Sequence, residues 1–411
     1  MVEVRYNYRL RVKSREAKLL QGIFDSCRFV WNQALGRWSD LWRHEALSYS
    51  YGDAAAELTD WRSRFDWLAC QPQCPQQQTL RHLFRSISAF FDKANPAGRP
   101  HFKARKSNYA TAEWTKNGFN VTGSGLGRPG DQLRVATAAG RLALRVVWSR
   151  PLPAAPSSVN VRKDAAGHWW ASFVVRFEVP DAPVAPTGRS TGLDVGLTTF
   201  ATTEDPSHDL ANPQFARAAA KARARSQRNL ARKPKDSKHR AHAKRRAARM
   251  AVKVAGQRSD FHHKAARQLV TNFDRIGVED LRVKNLSRRG TGRHKSGLNR
   301  AIADAGWGRF RAILQWQATK AGKEVVVFPA RDTTQTCSCC GAKAKLRIEL
   351  SDRVYRCQAC GLVLGRDRNA ARNLNPDRIG APTGGSEPAG AVSPVGDDGK
   401  KPKVPSGILA A

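Results

Sequence analysis

No stretch of this chain stays apolar for the ~20 residues a membrane-spanning helix needs, and no charged-then-apolar leader with a cleavage site opens it. Both absences lead to the expectation of a cytoplasmic protein with no membrane partner. Acidic residues are scarce as well: 34 Asp and Glu stand against 71 Lys and Arg, a formal net charge of +37. A chain so one-signed repels itself unless a polyanion neutralises it, which points to nucleic acid. The shortage is sharpest in residues 212–258, where sixteen Lys and Arg share an alanine-rich run with a single acid, Asp236. Alanine supplies helix propensity and arginine supplies charge. A solvated helical face would explain the run more plainly, but one sign at this density favours phosphate contact, with Arg223, Arg228, Arg245 and Arg246 as candidates.

What is present falls into a readable order. Residues 1–13 alternate apolar and polar, as a half-buried strand does. From Ser14 a helix follows, its stripe running through Leu20, Ile23/Phe24, Cys27, Val30/Trp31, Ala34, Trp38 and Leu41. Leu80, Leu83, Ile87 and Phe90 mark another helix beyond the break at Pro72 and Pro75. These aromatics read as helix core, with Arg28, Arg81 and Arg85 on the flanks as candidate phosphate contacts. A basic turn over residues 96–106 adds Lys103, Arg105 and Lys106. Residues 119–122, 132–136, 141–148, 159–163 and 168–179 read as short strands, the last two joined by Asp164-Ala-Ala-Gly167. Together with the first strand they form one small barrel, interrupted by the helical block.

After a proline-rich linker at 180–186, residues 192–196 form an apolar strand and 198–202 its hairpin partner. Residues 275–281 and 324–328 are further strands, 308–321 an amphipathic helix, and 284–299 a basic loop without regular structure. From Pro376 on, thirteen of 36 residues are Pro or Gly, a composition that carries no core.

Eight cysteines are unevenly placed. Cys337/Cys340 and Cys357/Cys360 form two C-x2-C-G knuckles with sixteen residues between them, the spacing of a zinc ribbon. Paired thiols in a cytosolic chain more often hold metal than disulfides. Cys70 and Cys74 lack a second pair and read as ordinary thiols, as does Cys27. Cys339 lies inside the first knuckle, where the spacing favours Cys340 as the ligand. Three acids have kindred settings: Asp194 centrally in GLDVG, Glu279 at the exit of a strand, and Asp367 seven residues past the last cysteine. Singly, they could cap a turn, pair with Arg282 and cap a helix. Together they form a set that makes sense as a seat for divalent metal, because like charges held close resist ionising.

The series GLDVGLTTFA, RIGVEDLRVKNL, ADAGWGRF, TTQTCSCCG, CQACG and RDRNAARNL resembles, in order and spacing, the motifs of TnpB, the RNA-guided nucleases of insertion sequences, relatives of compact type V CRISPR effectors. YRLRVKSREAKLL, CRFVWNQAL and GRPHFKARK extend the resemblance over residues ~5–375. It implies an α+β multidomain fold: a small β-barrel (wedge) domain at 1–13 and 106–182 with an inserted helical recognition domain at 14–105, then an RNase H-like (RuvC) α/β nuclease domain at 187–332 and 365–376. A zinc ribbon at 333–364 is inserted in the nuclease domain, and 377–411 is a disordered tail. It further implies Asp194, Glu279 and Asp367 as catalytic acids holding two Mg²⁺, one structural Zn²⁺ on Cys337, Cys340, Cys357 and Cys360, and guide RNA and double-stranded target DNA as partners of a monomer with one RNA. Gly365 departs from the pattern, standing where many relatives carry a further acid. A CRISPR-type effector of the same chemistry and a non-catalytic RNA-guided regulator are the alternatives. A DNA-strand transferase is disfavoured, since no Tyr/His-x-His pairing of the single-strand transposase kind is present.

Overall fold

The computed structural model describes residues 2–45, 48–93, 97–104, 110–178, 185–281, 283–287, 293–329, 333–344, 348 and 352–378. The chain divides at Val179/Pro180 into two compact units. Among the described residues no helix is long and apolar enough to cross a membrane.

The first unit starts with strand β1 (Val2–Arg11), whose Val4, Tyr8 and Leu10 are buried as the alternation requires. Lys13 donates its backbone N–H to Glu16 Oε2 at 2.7 Å and so opens helix α1 (Ser14–Asp40). Every residue of the predicted stripe on α1 is buried. Its first half packs into the core of the sheet through Leu20, Ile23, Phe24 and Cys27; its second half joins a helical core with Leu58, Leu80 and Leu83. Those residues come from α2 (Tyr51–Arg64) and α3 (Gln73–Phe91). Sequence periodicity misses α2, because only Ala54 and Leu58 on it are buried. A Ser-x-x-Asp capping box marks its start all the same: Ser50 Oγ accepts from the Asp53 N–H, and Asp53 accepts from the Ser50 N–H.

Six strands follow: β2 (Ala110–Thr115), β3 (Phe119–Val121), β4 (Gln132–Thr137), β5 (Gly140–Val147), β6 (Pro156–Lys163) and β7 (Trp169–Phe177). With β1 they form one antiparallel sheet in the order β2-β6-β7-β1-β5-β4-β3. Its two edge strands, β2 and β3, are consecutive in the chain and joined only by Lys116–Gly118, so the sheet must curl until its edges meet. Trp114 on β2, fully buried, donates its indole N–H to Ala136 O on β4 at 3.1 Å across that seam. The predicted turn holds too: Asp164 N–H bonds to His168 O at 2.8 Å, and Gly167 takes the positive φ of 82° that favours glycine.

The second unit is built on a mixed sheet ordered β10-β9-β8-β11-β12, from β8 (Ser190–Val195), β9 (Thr199–Thr202), β10 (Leu210–Ala211), β11 (Arg275–Glu279) and β12 (Glu324–Phe328). β8, β11 and β12 run parallel, whereas β8, β9 and β10 are antiparallel neighbours. The basic run is not one helix. It is a short turn at Phe215–Ala218, then α4 (Ala220–Ala231) and α5 (Lys238–Asn272), broken at Pro234 and at Asp236, whose φ is 65°. Arg240 ties the two helices by donating to Leu230 O at 2.9 Å and Lys233 O at 2.8 Å.

The region expected to be a structureless loop is largely helical: residues 283–286 form a turn of helix and Arg293–Ala305 forms α6, followed by α7 (Trp307–Lys320). Burial of Ile302 and Ala305 against the sheet core supplies stabilisation that local composition hides. A hairpin, β13 (Val354–Arg356) with β14 (Val363–Gly365), leads into the last helix, α8 (Arg366–Asn373). Asp377 and Arg378, assigned in sequence to the tail, belong to the packed unit, Arg378 pairing with Glu204 at 2.6 Å. Residues 379–411 and most of the 180–186 linker lie outside the described residues.

Gly192 and Gly277 are register partners on β8 and β11. A Cβ at the first would overlap Ala371 O and at the second Leu374 O, so the pair makes the flat floor on which α8 lies. Gly192→Ala or Gly277→Ala should cost at least ~3 kcal/mol, since backbone atoms of α8 cannot step aside as a side chain would. Thermal unfolding reads this out, and an unchanged midpoint in both variants would contradict the close approach.

Candidate metal centre and acidic edge

The four knuckle cysteines converge. Their sulfurs all lie within 4.8 Å of one another, with Cys337–Cys360 and Cys340–Cys357 Sγ separations of 3.6 Å each. A tetrahedral zinc with ~2.3 Å bonds to sulfur sets sulfur–sulfur edges of about 3.8 Å, so these donors fit that ion. The two knuckles share one local design. Cys337 N–H donates to Ala342 O and Gly341 N–H returns to Cys337 O; Cys357 N–H donates to Leu362 O and Gly361 N–H returns to Cys357 O. Closing so tight a turn needs φ of 75° at Gly341 and 74° at Gly361, which explains the glycine after each pair. Backbone N–H groups of Cys360 and Ala359 pull the Cys357 thiol down to about 6. Cys339 is exposed and stays out of the cluster, so Cys340 is the member of that pair that joins it.

The three acids meet at one sheet edge. Asp194 sits near the end of β8 and Glu279 ends the parallel neighbour β11, so both leave the sheet on the same side. Asp367 comes from the first turn of α8, which lies on β8. Burial first, then the charges of Asp367 and Glu279, push the Asp194 carboxyl up to about 8, while Arg366 opposes them. Burial also raises Glu279, against the lowering effect of a hydrogen bond from Thr333 Oγ1 to its Oε1 at 3.0 Å. Arg366 reaches Asp367 Oδ1 at 3.2 Å. The three carboxylates do not draw together as the thiolates do: among the described residues the four cysteines are the group of three or more side chains close enough to hold one metal ion.

Residues that sequence reasoning overlooked hold this edge in place. Arg368 makes a two-pronged pair with Asp209, at 2.9 and 2.8 Å, and donates to Thr203 O at 2.7 Å, tying α8 to the loop between β9 and β10. Thr333, Asn369 and Asn373 bond the ribbon to α8 and to Glu279. The sequence gives no sign of these contacts, because an asparagine in a short, charged helix does not reveal its burial.

The candidate phosphate contacts fare unevenly. Arg228, Arg245 and Arg246 are exposed, and Arg223 is half-buried. Arg85 is exposed, while Arg81 is engaged with Tyr51, its guanidinium 5.6 Å from the ring centre. Arg28 is paired with Asp25 at 2.6 Å. Lys103 is turned inward: its Nζ lies 3.7 Å from the Trp31 ring centre, and burial lowers its amine to about 8. Arg105 and Lys106 lie outside the described residues.

The order of these elements along the chain has a counterpart of similar fold among solved structures. A solved structure titled "Cryo-EM structure of the Cas12f1-sgRNA-target DNA complex" superposes with a TM-score of 0.55 at 12% identity, over 89% of this chain and 84% of that one. A "Putative RNA-guided DNA endonuclease" of Streptomyces pristinaespiralis is 34% identical, covering 90% of this chain and 88% of that protein. "Putative RNA-guided DNA endonuclease InsQ" of Escherichia coli (strain K12) is 32% identical over 90% of each. Family descriptions match in three places: "Helix-turn-helix domain" at residues 1–46, "Probable transposase" at 172–290 and "Cas12f1-like, TNB domain" at 307–374. In the structure the first of these regions is built chiefly of one strand and one continuous 27-residue helix. The chain belongs to the TnpB family.

Proposed function

We propose that this chain is an RNA-guided DNA endonuclease of an insertion sequence, with an RNase H-like (RuvC) nuclease domain that hydrolyses phosphodiesters at Asp194, Glu279 and Asp367. The observation that carries this reading is a half-buried aspartate held against two further acids at one sheet edge, an arrangement that is costly without a cation. Two Mg²⁺ ions, when bound, supply charge neutralisation of the phosphate and a water of lowered pKa. The three carboxylates would hold them, and Arg366 limits the repulsion among the acids. Thr333 keeps one oxygen of Glu279 in place. Cys337, Cys340, Cys357 and Cys360 would hold one structural zinc that takes no part in the chemistry. Guide RNA and double-stranded DNA are the polyanions that a charge of +37 fits, and one protein copy with one RNA is the simplest assembly.

The test is cleavage by the purified chain co-expressed with RNA from its flanking sequence. With Mg²⁺ it should cut a plasmid bearing the matching target, whereas a regulator would bind that plasmid and leave it intact. Two further outcomes follow. If ~8 of the cations on α4 and α5 meet phosphates, RNA affinity should fall with salt at a log–log slope of about −7; a slope near −2 would refute that contact. Mg²⁺ binding should weaken as pH falls below about 8, because Asp194 is neutral there and must give up its proton. For one proton the loss is about tenfold per pH unit in a Mg²⁺ titration of the RNA-free protein. Affinity that stays flat between pH 6 and 8 would remove Asp194 from the site.

A further inference from the structure

Asn369 is fully buried in an eight-residue helix, an expensive place for a primary amide unless both ends are bonded. Both ends are bonded to the first cysteine knuckle. Oδ1 accepts from the Ser338 N–H at 2.9 Å, and Nδ2 donates to Thr336 O at 2.8 Å, so the side chain brackets Cys337 from the residue before it to the residue after it. One helical turn on, Asn373 Nδ2 donates to Thr333 O at 2.8 Å and to Thr336 O at 2.7 Å. The Thr333 hydroxyl then donates to Glu279. Asp367 stands two residues before Asn369 on the same helix, and that helix lies over the glycine floor of the strand bearing Asp194. An unbroken chain of bonds therefore runs from a metal-ligating cysteine to the carboxylates.

We infer that Asn369, Asn373 and Thr333 are positioning residues that transmit the order of the cysteine centre to the acidic edge, so that zinc sets where Asp367 and Glu279 stand. This rests on the nuclease reading above, but its structural half does not. Without metal the first knuckle has little else to fix it, since among the described residues the only fully buried large side chain in its cluster is Tyr355. With metal the knuckle becomes a rigid peg, and the two asparagines register α8 against it. Arg368 anchors the same helix to Asp209, so loss of the peg leaves α8 attached at one point but free to tilt about it.

The experiment uses the full chain with its RNA and measures hydrogen exchange over residues 366–375 before and after zinc is removed by a chelator. In the unaltered protein chelation should speed exchange of α8 roughly tenfold. In the Asn369→Ala, Asn373→Ala double variant exchange should be fast from the start and indifferent to chelation. Indifference of α8 to zinc in the unaltered protein, or persistent zinc sensitivity in the double variant, overturns the coupling. A second arm reads chemistry: Thr333→Val should lower single-turnover cleavage at saturating target by about tenfold to a hundredfold with DNA affinity unchanged, and Thr333→Ser should restore it. A Thr333→Val rate equal to that of the unaltered protein would overturn the Glu279 link. If the unaltered protein itself does not cut, the nuclease reading fails, while the exchange arm still decides the clamp.

Discussion

Asp194→Ala should abolish cleavage, by ~10⁴-fold or more, and leave RNA and target binding within a factor of about two. The expected size follows from the place of this residue. Asp194 lies on β8, between β9 and β11, and under α8, and burial first, then the charges of the other two acids, raise its carboxyl to about 8. On the proposed nuclease reading, its removal takes away a central metal ligand that the neighbouring acids cannot replace. Stability should not fall with activity. The folded pKa is above the ordinary value of about 4, so ionising this group opposes folding, by an amount that grows from about pH 4 and levels off above about 8. The metal-free Asp194→Ala protein should therefore melt at the same temperature or higher, and more so at pH 9 than at pH 6. Undiminished cutting by this variant would sink the assignment.

Zinc removal is the second large effect. Structural zinc at such sites contributes on the order of 10–16 kcal/mol, more than a whole domain's usual margin. The ribbon has almost nothing to replace it: its buried cluster is Cys337, Cys357 and Tyr355, with Cys340, Ala342, Ile348 and Leu362 partly covered. Chelation, or Cys337→Ser, should therefore unfold residues ~333–364 and open them to protease, while the two larger cores, centred on Trp114 and on Phe200 and Phe310, keep their own burial. Metal analysis should find one zinc per folded chain. Folded, protease-resistant ribbon in protein containing no zinc would refute the site.

The candidate site residues stood out in the sequence because their types leave few alternatives. Four cysteines in two glycine-closed pairs, and an aspartate inside GLDVG, are poor choices for ordinary core or surface, and the structure draws the cysteines together and the three acids to one edge. The stripe on α1 was equally plain, because a long helix between two cores must be apolar along its length. Elements held by tertiary contacts left weaker traces. β2 reads as a polar ATAEWT segment until Trp114 closes the sheet seam, and α6 hides behind glycine, lysine and histidine until Ile302 meets the core. Charge alone does not say which way a cationic side chain faces in the folded chain. A lysine stem can bury its amine on an aromatic ring, as Lys103 does on Trp31, and an arginine can be taken by a helical neighbour, as Arg28 is by Asp25. The asparagines of α8 escaped notice for the opposite reason: a polar residue in a charged helix gives no sign that it is buried.

The claim that Asp194, Glu279 and Asp367 form one divalent-metal nuclease centre is tested most directly by single-turnover cleavage of a matched target, measured for each of the three Ala substitutions and for every pair. Groups that act as a unit lose nearly everything when any one is removed, so each single variant should fall about as far as the doubles, to within a factor of a few. Losses that add from single to double, or one single variant that still cuts at the rate of the unaltered protein, would contradict it.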